Sequence, residues 1–368
     1  MRTLRTLSVL LLASASTLLA QTSTTNPIVS YAYVGTYSSS TPRHTYGYAI
    51  HANGSSSAIS GSPFAGVSGF LANTLNYVFA TDGHSIETYH RSSSGSLSAV
   101  ATIDGTAHND TPQGSGVGLL TLDRTGSTLY AGEIDFQGAS NNAYAEFHKL
   151  SNGSLSFFAN SPINVNDGGE LTFSHSNAFA YTGGCYFATW TLLGFYRATD
   201  GKLTPFDTGN TFPPDPNNYD YCPGAIASSA RNYLAVSYAA FGAQEYTHIE
   251  IYKITSSGAL QKVSSKGTIF RNVNSVRFES TGNYLAIAGD KGIAIYRLNS
   301  NATLSRITPS VDSSISFKEV RWDDNRHLIA RTSSALYVFN FANGVLSQAG
   351  SAHGISNTTL SLAVTPLQ

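Results

Sequence analysis

A strand carrying an aromatic residue near its end recurs seven times along this chain, and no other feature of the sequence constrains the fold as tightly. The copies are YGYAI with Tyr48, IETYHR with Tyr89, AEFHK with Phe147, GFYRA with Tyr196, EIYKI with Tyr252, AIYRL with Tyr296 and YVFNF with Phe339. Six are followed by a turn signature of the SGSLS type, at Leu97, Leu155, Leu203, Leu260, Leu304 and Leu346, and the first by a looser SSAIS at Ile59. Asn-Gly, Asp-Gly and Ser-Gly supply the positive φ that tight hairpins need. The Leu or Ile that follows returns to the core, so each unit ends in a hairpin.

Another strand pair precedes each aromatic strand. Its second member reads YVFAT, LYAGE, FAYTG, LAVSY, LAIAG and LIART, starting at Tyr77, Leu129, Phe179, Leu234, Leu285 and Leu328, so that successive starts lie 43 to 55 residues apart. That is the spacing of four-stranded propeller blades. The chain is therefore expected to be all-β, a seven-bladed β-propeller of four-stranded blades. AYVGTY at 32–37 is a second-strand motif with no first strand before it, and LSLAVTP at 360–366 is a strand with no partner after it. The C-terminal strand is thus expected to complete the first blade, which removes an exposed sheet edge.

Composition narrows the function. Charged residues make up 12 %, against about a quarter in an average soluble protein, and 21 Lys+Arg against 22 Asp+Glu leave a formal charge of −1. The basic footprint of a phosphate-backbone binder is missing, so nucleic acid is excluded as a partner. Arg2 and Arg5 precede an apolar stretch at 7–19, and Leu18-Leu19-Ala20-Gln21 reads as a cleavage site. Residues 1–20 are thus expected to be a signal peptide, 21–27 a polar linker and 28–368 a single propeller domain, exported to the periplasm or beyond; an uncleaved anchor is the alternative. No later run is long and apolar enough to span a bilayer. The mature protein is expected to be a monomer.

The opening YVGTY at Tyr33, the units VRFESTGNYLAIAGDKGIAIYRLNSNATL at 276–304 and LLTLDRTGSTLYAG at 119–132, and the G-x-L hairpins together resemble the lactonase-family β-propellers, the group of bacterial 6-phosphogluconolactonase and the carboxymuconate cyclases. The resemblance covers about 340 residues and implies hydrolysis of a lactone ring. It implies no catalytic residue here. Family members carry His, Arg and Glu at the starts of inner strands, often as H-x-H, whereas this chain has Pro112-Gln113-Gly114-Ser115-Gly116, Gly168-Gly169-Glu170 and Cys222-Pro223-Gly224-Ala225 at those places.

The residues themselves offer a short set of candidates. Strand alternation puts the loops entering each inner strand on one face, where side chains converge on the axis. Titratable residues expected there are His108, Asp110, Glu133, Asp135, Asp167, Glu170, Asp220, Arg271 and Glu319. Glu170, or Glu133, would serve as general base for water attack on the lactone carbonyl and Arg271 would hold the oxyanion; for each residue a solvated loop charge is the plainer alternative. No cofactor or metal is called for: the histidines lack ligand spacing, and Asn164-Val165-Asn166-Asp167-Gly168 and Asp215-Pro216-Asn217-Asn218 contain oxygen ligands that Ca²⁺ could use, with ordinary turn chemistry the plainer reading. Cys185 and Cys222 fall on the same face and form a disulfide in an exported protein, or are two small buried thiols. A non-catalytic propeller holding a glycan or protein partner is the competing function.

Overall fold

The computed structural model describes residues 26–37, 43–66, 68–105, 116–134, 142–162, 170–186, 189–208, 221–240, 247–311, 314–324, 326–342 and 344–366. Seven antiparallel sheets make seven blades, and no helix occurs among the described residues. Blade one is built from both ends of the chain: Thr358–Pro366 is its inner strand, followed outward by Ile28–Tyr37, His44–His51 and Ser56–Ala58. The inner strands of blades two to seven are Phe70–Asn73, Gly116–Leu122, Thr172–Phe173, Tyr221–Ser228, Val273–Phe278 and Glu319–Trp322. The expected closure is therefore the observed one. Ser30 to Tyr37 pair with Thr358 to Pro366, and Asn73 in blade two donates its side-chain amide to the Val364 carbonyl at 3.0 Å.

Blades pack because each has two apolar faces. Seven buried clusters fill the seven interfaces between neighbouring blades: Tyr31, Tyr33 and Ala363 meet Leu71, Val78 and Tyr89 between blades one and two, and Ala32, Val34 and Leu362 meet Ile329, Leu336 and Val338 across the closure. The repeated aromatics are the large pieces of these clusters, with Tyr48, Tyr89, Phe147, Tyr252, Tyr296 and Phe339 all at most 5 % exposed. Blade four departs from the repeat. Tyr196 is 46 % exposed and its neighbour Phe195 is fully buried, because Phe195 pairs with Ala180 just as Tyr296 pairs with Leu285. Burial of such a ring contributes about 1.5–3 kcal/mol.

Hairpin tips lock successive blades. Tyr33 donates to the Gly95 carbonyl at 2.6 Å and Tyr181 to the Gly258 carbonyl at 2.7 Å, in each case from one blade's second strand to the next blade's outer turn. Gly258 has φ +86° and a Cβ there would lie 2.5 Å from Phe179, so the turn needs glycine both for its backbone and for the neighbouring ring. At the turn that joins the first two strands of a blade, a polar residue ending the inner strand caps the turn. Asp123 accepts from the Ser127 amide at 2.8 Å, Ser174 from Phe179 at 3.1 Å, Glu279 from Asn283 at 2.6 Å and Asp323 from His327 at 2.9 Å.

Removing residues 358–366 would leave blade one without its inner strand and expose the edge of Ile28–Tyr37. The truncated protein is expected to melt well below the full chain and to aggregate on concentration, checked by thermal scanning and light scattering. Equal melting temperature and solubility would show that closure does not hold the ring.

Candidate functional site

Counting back from the turn-capping residue aligns the inner strands and shows what faces the axis. Four positions before the caps Thr74, Asp123, Ser174, Ser229, Glu279 and Asp323 stand Phe70, Leu119, Glu170, Ala225, Ser275 and Glu319; two before stand Ala72, Thr121, Thr172, Ala227, Arg277 and Arg321. Side chains alternate with period two along a strand, so the two sets form two tiers of one axial channel. All six of the first tier line a cavity of about 280 Å³, just under the roughly 300 Å³ at which small-molecule sites begin. Two further cavities run along the second tier, and all three are lined by Glu170 and Arg321.

Carboxylates occupy the first tier and guanidinium groups the second. Oε1 of Glu170 accepts from Nη2 of Arg277 and, at 3.0 Å, from Nη2 of Arg321. Arg321 is shared: its Nε reaches Oε1 of Glu319 at 2.9 Å and its Nη2 the same oxygen at 2.7 Å. Oε2 of Glu319 accepts from Nε of Arg331 at 3.1 Å and from the Leu362 amide at 2.9 Å. Burial pushes the Glu170 carboxyl up, but the charges and hydrogen bonds of Arg277 and Arg321 outweigh it and hold the group down at about 2. Among the described residues Oε2 of Glu170 and Nη1 of Arg321 have no protein partner, and the buried Nε of Arg277 has none either.

Of the residues read from the sequence, the structure brings Glu170 and Glu319 to this channel. It does not bring Arg271 there. Arg271 is exposed, its backbone amide is held by Asp290 at 3.2 Å, and it precedes the inner strand by two residues instead of lying on its inward face. Arg277 and Arg321 meet Glu170 instead. The signal for them was in the repeat: they occupy equivalent positions in VRF and VRW, where the other aligned strands carry Thr or Ala. The backbone of Glu133 pairs with Val117, while its side chain, His108, Asp110, Asp135, Asp167 and Asp220 lie outside the described residues, as do Asn164–Val165 and Asp215–Asn218. Cys222 pairs with Ala239 on blade five's inner strand, and the side chain of Cys185 lies outside the described residues.

Other clusters are structural by their connections. Ser30 and His327 both bond Oδ2 of Asp323, at 3.0 and 2.7 Å, so the histidine is tied to the acid and not to the serine, unlike the serine–histidine pair of a nucleophilic site. No group of three or more His, Cys, Asp or Glu suited to a metal occurs among the described residues.

No protein-family model matches the chain, and no curated protein matches it. Solved structures do. The chain is similar to the periplasmic gluconolactonase of Pseudomonas aeruginosa (12 % identity, TM-score 0.68, covering 92 % of this chain and 100 % of that one). It is similar also to candidate 6-phosphogluconolactonases of Bacteroides fragilis (13 %, 0.67, 92 % and 98 %) and Bacteroides uniformis (13 %, 0.68, 92 % and 100 %). The fold is that of the 6-phosphogluconolactonase-like seven-bladed propellers.

The Glu170 cluster carries a pH signature. A carboxyl held at about 2 against an ordinary 4.5 stabilises the fold fully above pH 4.5 and loses that contribution as pH falls toward 2. Chemical denaturation between pH 5 and 2 is expected to show a shallower decline in Glu170→Gln than in the wild type. Parallel declines would mean that the arginines do not hold this carboxylate in solution.

Proposed function

We propose that the channel is the active site of a lactone hydrolase. The observation that carries this reading is a pair of atoms on one cavity that have no protein partner among the described residues, an acceptor at Glu170 Oε2 and a cationic donor at Arg321 Nη1. Likeness in fold to solved gluconolactonase-type propellers supports a lactone as the substrate class. Glu170 Oε2 accepts a hydrogen bond from a water whose oxygen attacks the ring carbonyl, while Arg321 stabilises the oxyanion that forms. On collapse the ring C–O bond breaks and the departing alkoxide takes up the proton lost by the water, giving a hydroxy acid. A carboxylate of pKa about 2 is a weak base, so Glu170 orients the water more than it deprotonates it.

Glu170→Gln and Arg321→Gln are each expected to lower turnover on a lactone panel by on the order of a hundredfold, with Arg277→Gln also impaired. Arg271→Gln, exposed and absent from the cavity lining, is expected to stay near wild type, as is the wild-type enzyme in chelator. Unchanged turnover in the first two variants would remove them from the mechanism. The weakness of the base favours a second reading, a propeller that binds a glycan or other neutral ligand without turning it over; saturable calorimetric binding with no turnover across the panel would select it.

Export and the disulfide belong to the same proposal. The signal-like N-terminus supports export, and no cysteine among the described residues is free, which supports a Cys185–Cys222 bond. Thiol titration of the oxidised, denatured protein is expected to find no free cysteine; two titratable thiols in material from the periplasm or medium would refute it.

A further inference from the structure

We propose that Arg331 is a positioning residue that carries ring closure into the site: it ties the closing strand to Glu319 and, through Glu319, sets where the Arg321 guanidinium stands against Glu170. The inference rests on the lactonase reading for its relevance to catalysis, but its geometry stands apart from that reading.

Arg331 ends the second strand of blade seven, His327–Arg331, directly across from Glu319 in the sheet. It is 7 % exposed and Glu319 8 %. Nη1 of Arg331 donates to the Thr359 carbonyl at 3.0 Å and to Oγ1 of Thr359 at 3.2 Å, and Nη2 donates to the Leu360 carbonyl. Those acceptors belong to Thr358–Pro366, the strand that closes the ring. Its Nε takes one oxygen of Glu319, and the Leu362 amide of the same closing strand takes that oxygen too. Glu319 is left with one oxygen for Arg321, which therefore sits between two carboxylates at 2.7 and 3.0 Å. An unbroken series of contacts thus runs from the last strand of the chain to Glu170, through charged groups whose hydrogen-bonding atoms are fixed at every step. Arg331 borders the cavity, but its hydrogen bonds go to Glu319 and to the closing strand and none goes to Glu170, so it acts on the pair through Glu319.

Charge gives the series a direction. Removing the Arg331 cation leaves Glu319 undercompensated, and the nearest cation able to answer is Arg321, whose attachment to Glu170 is then weakened. Glu170 also faces Arg277 from blade six and Tyr144 from blade three, while Lys318 stands at the cavity wall; none of these is altered. The readout is the titration of the Glu170 carboxyl itself, followed by NMR of ¹³C-labelled glutamate in the intact protein and assigned with Glu170→Gln. In Arg331→Met the Glu170 midpoint is expected to rise by about one unit or more, the usual effect of losing much of one adjacent charge. In Arg331→Met/Glu319→Gln, where the competing anion is also gone and no unpaired buried charge remains, the midpoint is expected to return to the wild-type position. If Arg331→Met does not fold, Arg331→Lys, which keeps the charge and loses the fork, is expected to give a smaller rise. An unmoved midpoint in the folded single variants, or a rise that persists in the double variant, would overturn the proposal and leave Arg331 a structural brace. Because the carboxyl is observed directly, this result is independent of whether any lactone is turned over.

Discussion

Every blade of this protein has two apolar faces and only one of its own to offer each neighbour, and that requirement organises the structure. An isolated four-stranded sheet would leave Tyr31, Tyr33, Phe79 or Phe147 in water on one side or the other. Placed in a ring, each face meets the next blade's face, and the buried clusters fall one to each interface. The arrangement is satisfied only when the ring is complete. Closure is done by hydrogen bonding Thr358–Pro366 beside Ile28–Tyr37, so the two ends of the chain share one sheet and neither leaves an open edge. Turn caps and tyrosine bonds to hairpin carbonyls add register, and the apolar interfaces add the energy.

The same geometry makes the site. A ring of inner strands brings one inward residue from each blade to each level of the axis, and most are small or neutral: Ala225, Ala227, Ser275, Thr121, Thr172. Only blades four, six and seven contribute charge to the two tiers, and these charges find one another across the channel. Between two arginines, and with its side chain 31 % exposed, Glu170 is held as an anion. That fixes orientation firmly and sacrifices basicity. On the proposed reading, such a cluster is better suited to aligning a water and steadying a developing oxyanion than to abstracting a proton, and its ties to the closing strand join the channel to the architecture.

Much of this was legible in the sequence. The hairpin signatures, the spacing of the second-strand motifs and the unpaired strands at the two ends carried the blade count and the closure. Aromatic spacing misled in one place: in GFYRA either Phe195 or Tyr196 fits the pattern, and only strand pairing decides that Phe195 is the buried one. Glu170 and Glu319 were readable because they precede or begin inner strands. Arg277 and Arg321 were missed because attention to the loops before those strands selected Arg271, whereas alternation within the strand determines what reaches the axis. Aligning VRF and VRW with the Thr- and Ala-bearing copies shows two cations at inward positions. Arg331 had no such signal, since it lies on a second strand and reaches the site only by pairing across the sheet from Glu319. The role of the loops entering the blades, with His108, Asp110, Asp167 and Asp220, stays an expectation from sequence.

The axial cavity between the carboxylate and arginine tiers is proposed as the place where a lactone carbonyl is held. The direct measurement is a crystal structure of the protein with a hydrolysis-resistant sugar lactam. The lactam ring is expected inside the cavity, its carbonyl oxygen within hydrogen-bonding distance of Arg321 Nη1 and Glu170 Oε2 facing the carbonyl carbon. A lactam seated on the outer rim or a blade surface, with the cavity empty, would contradict it.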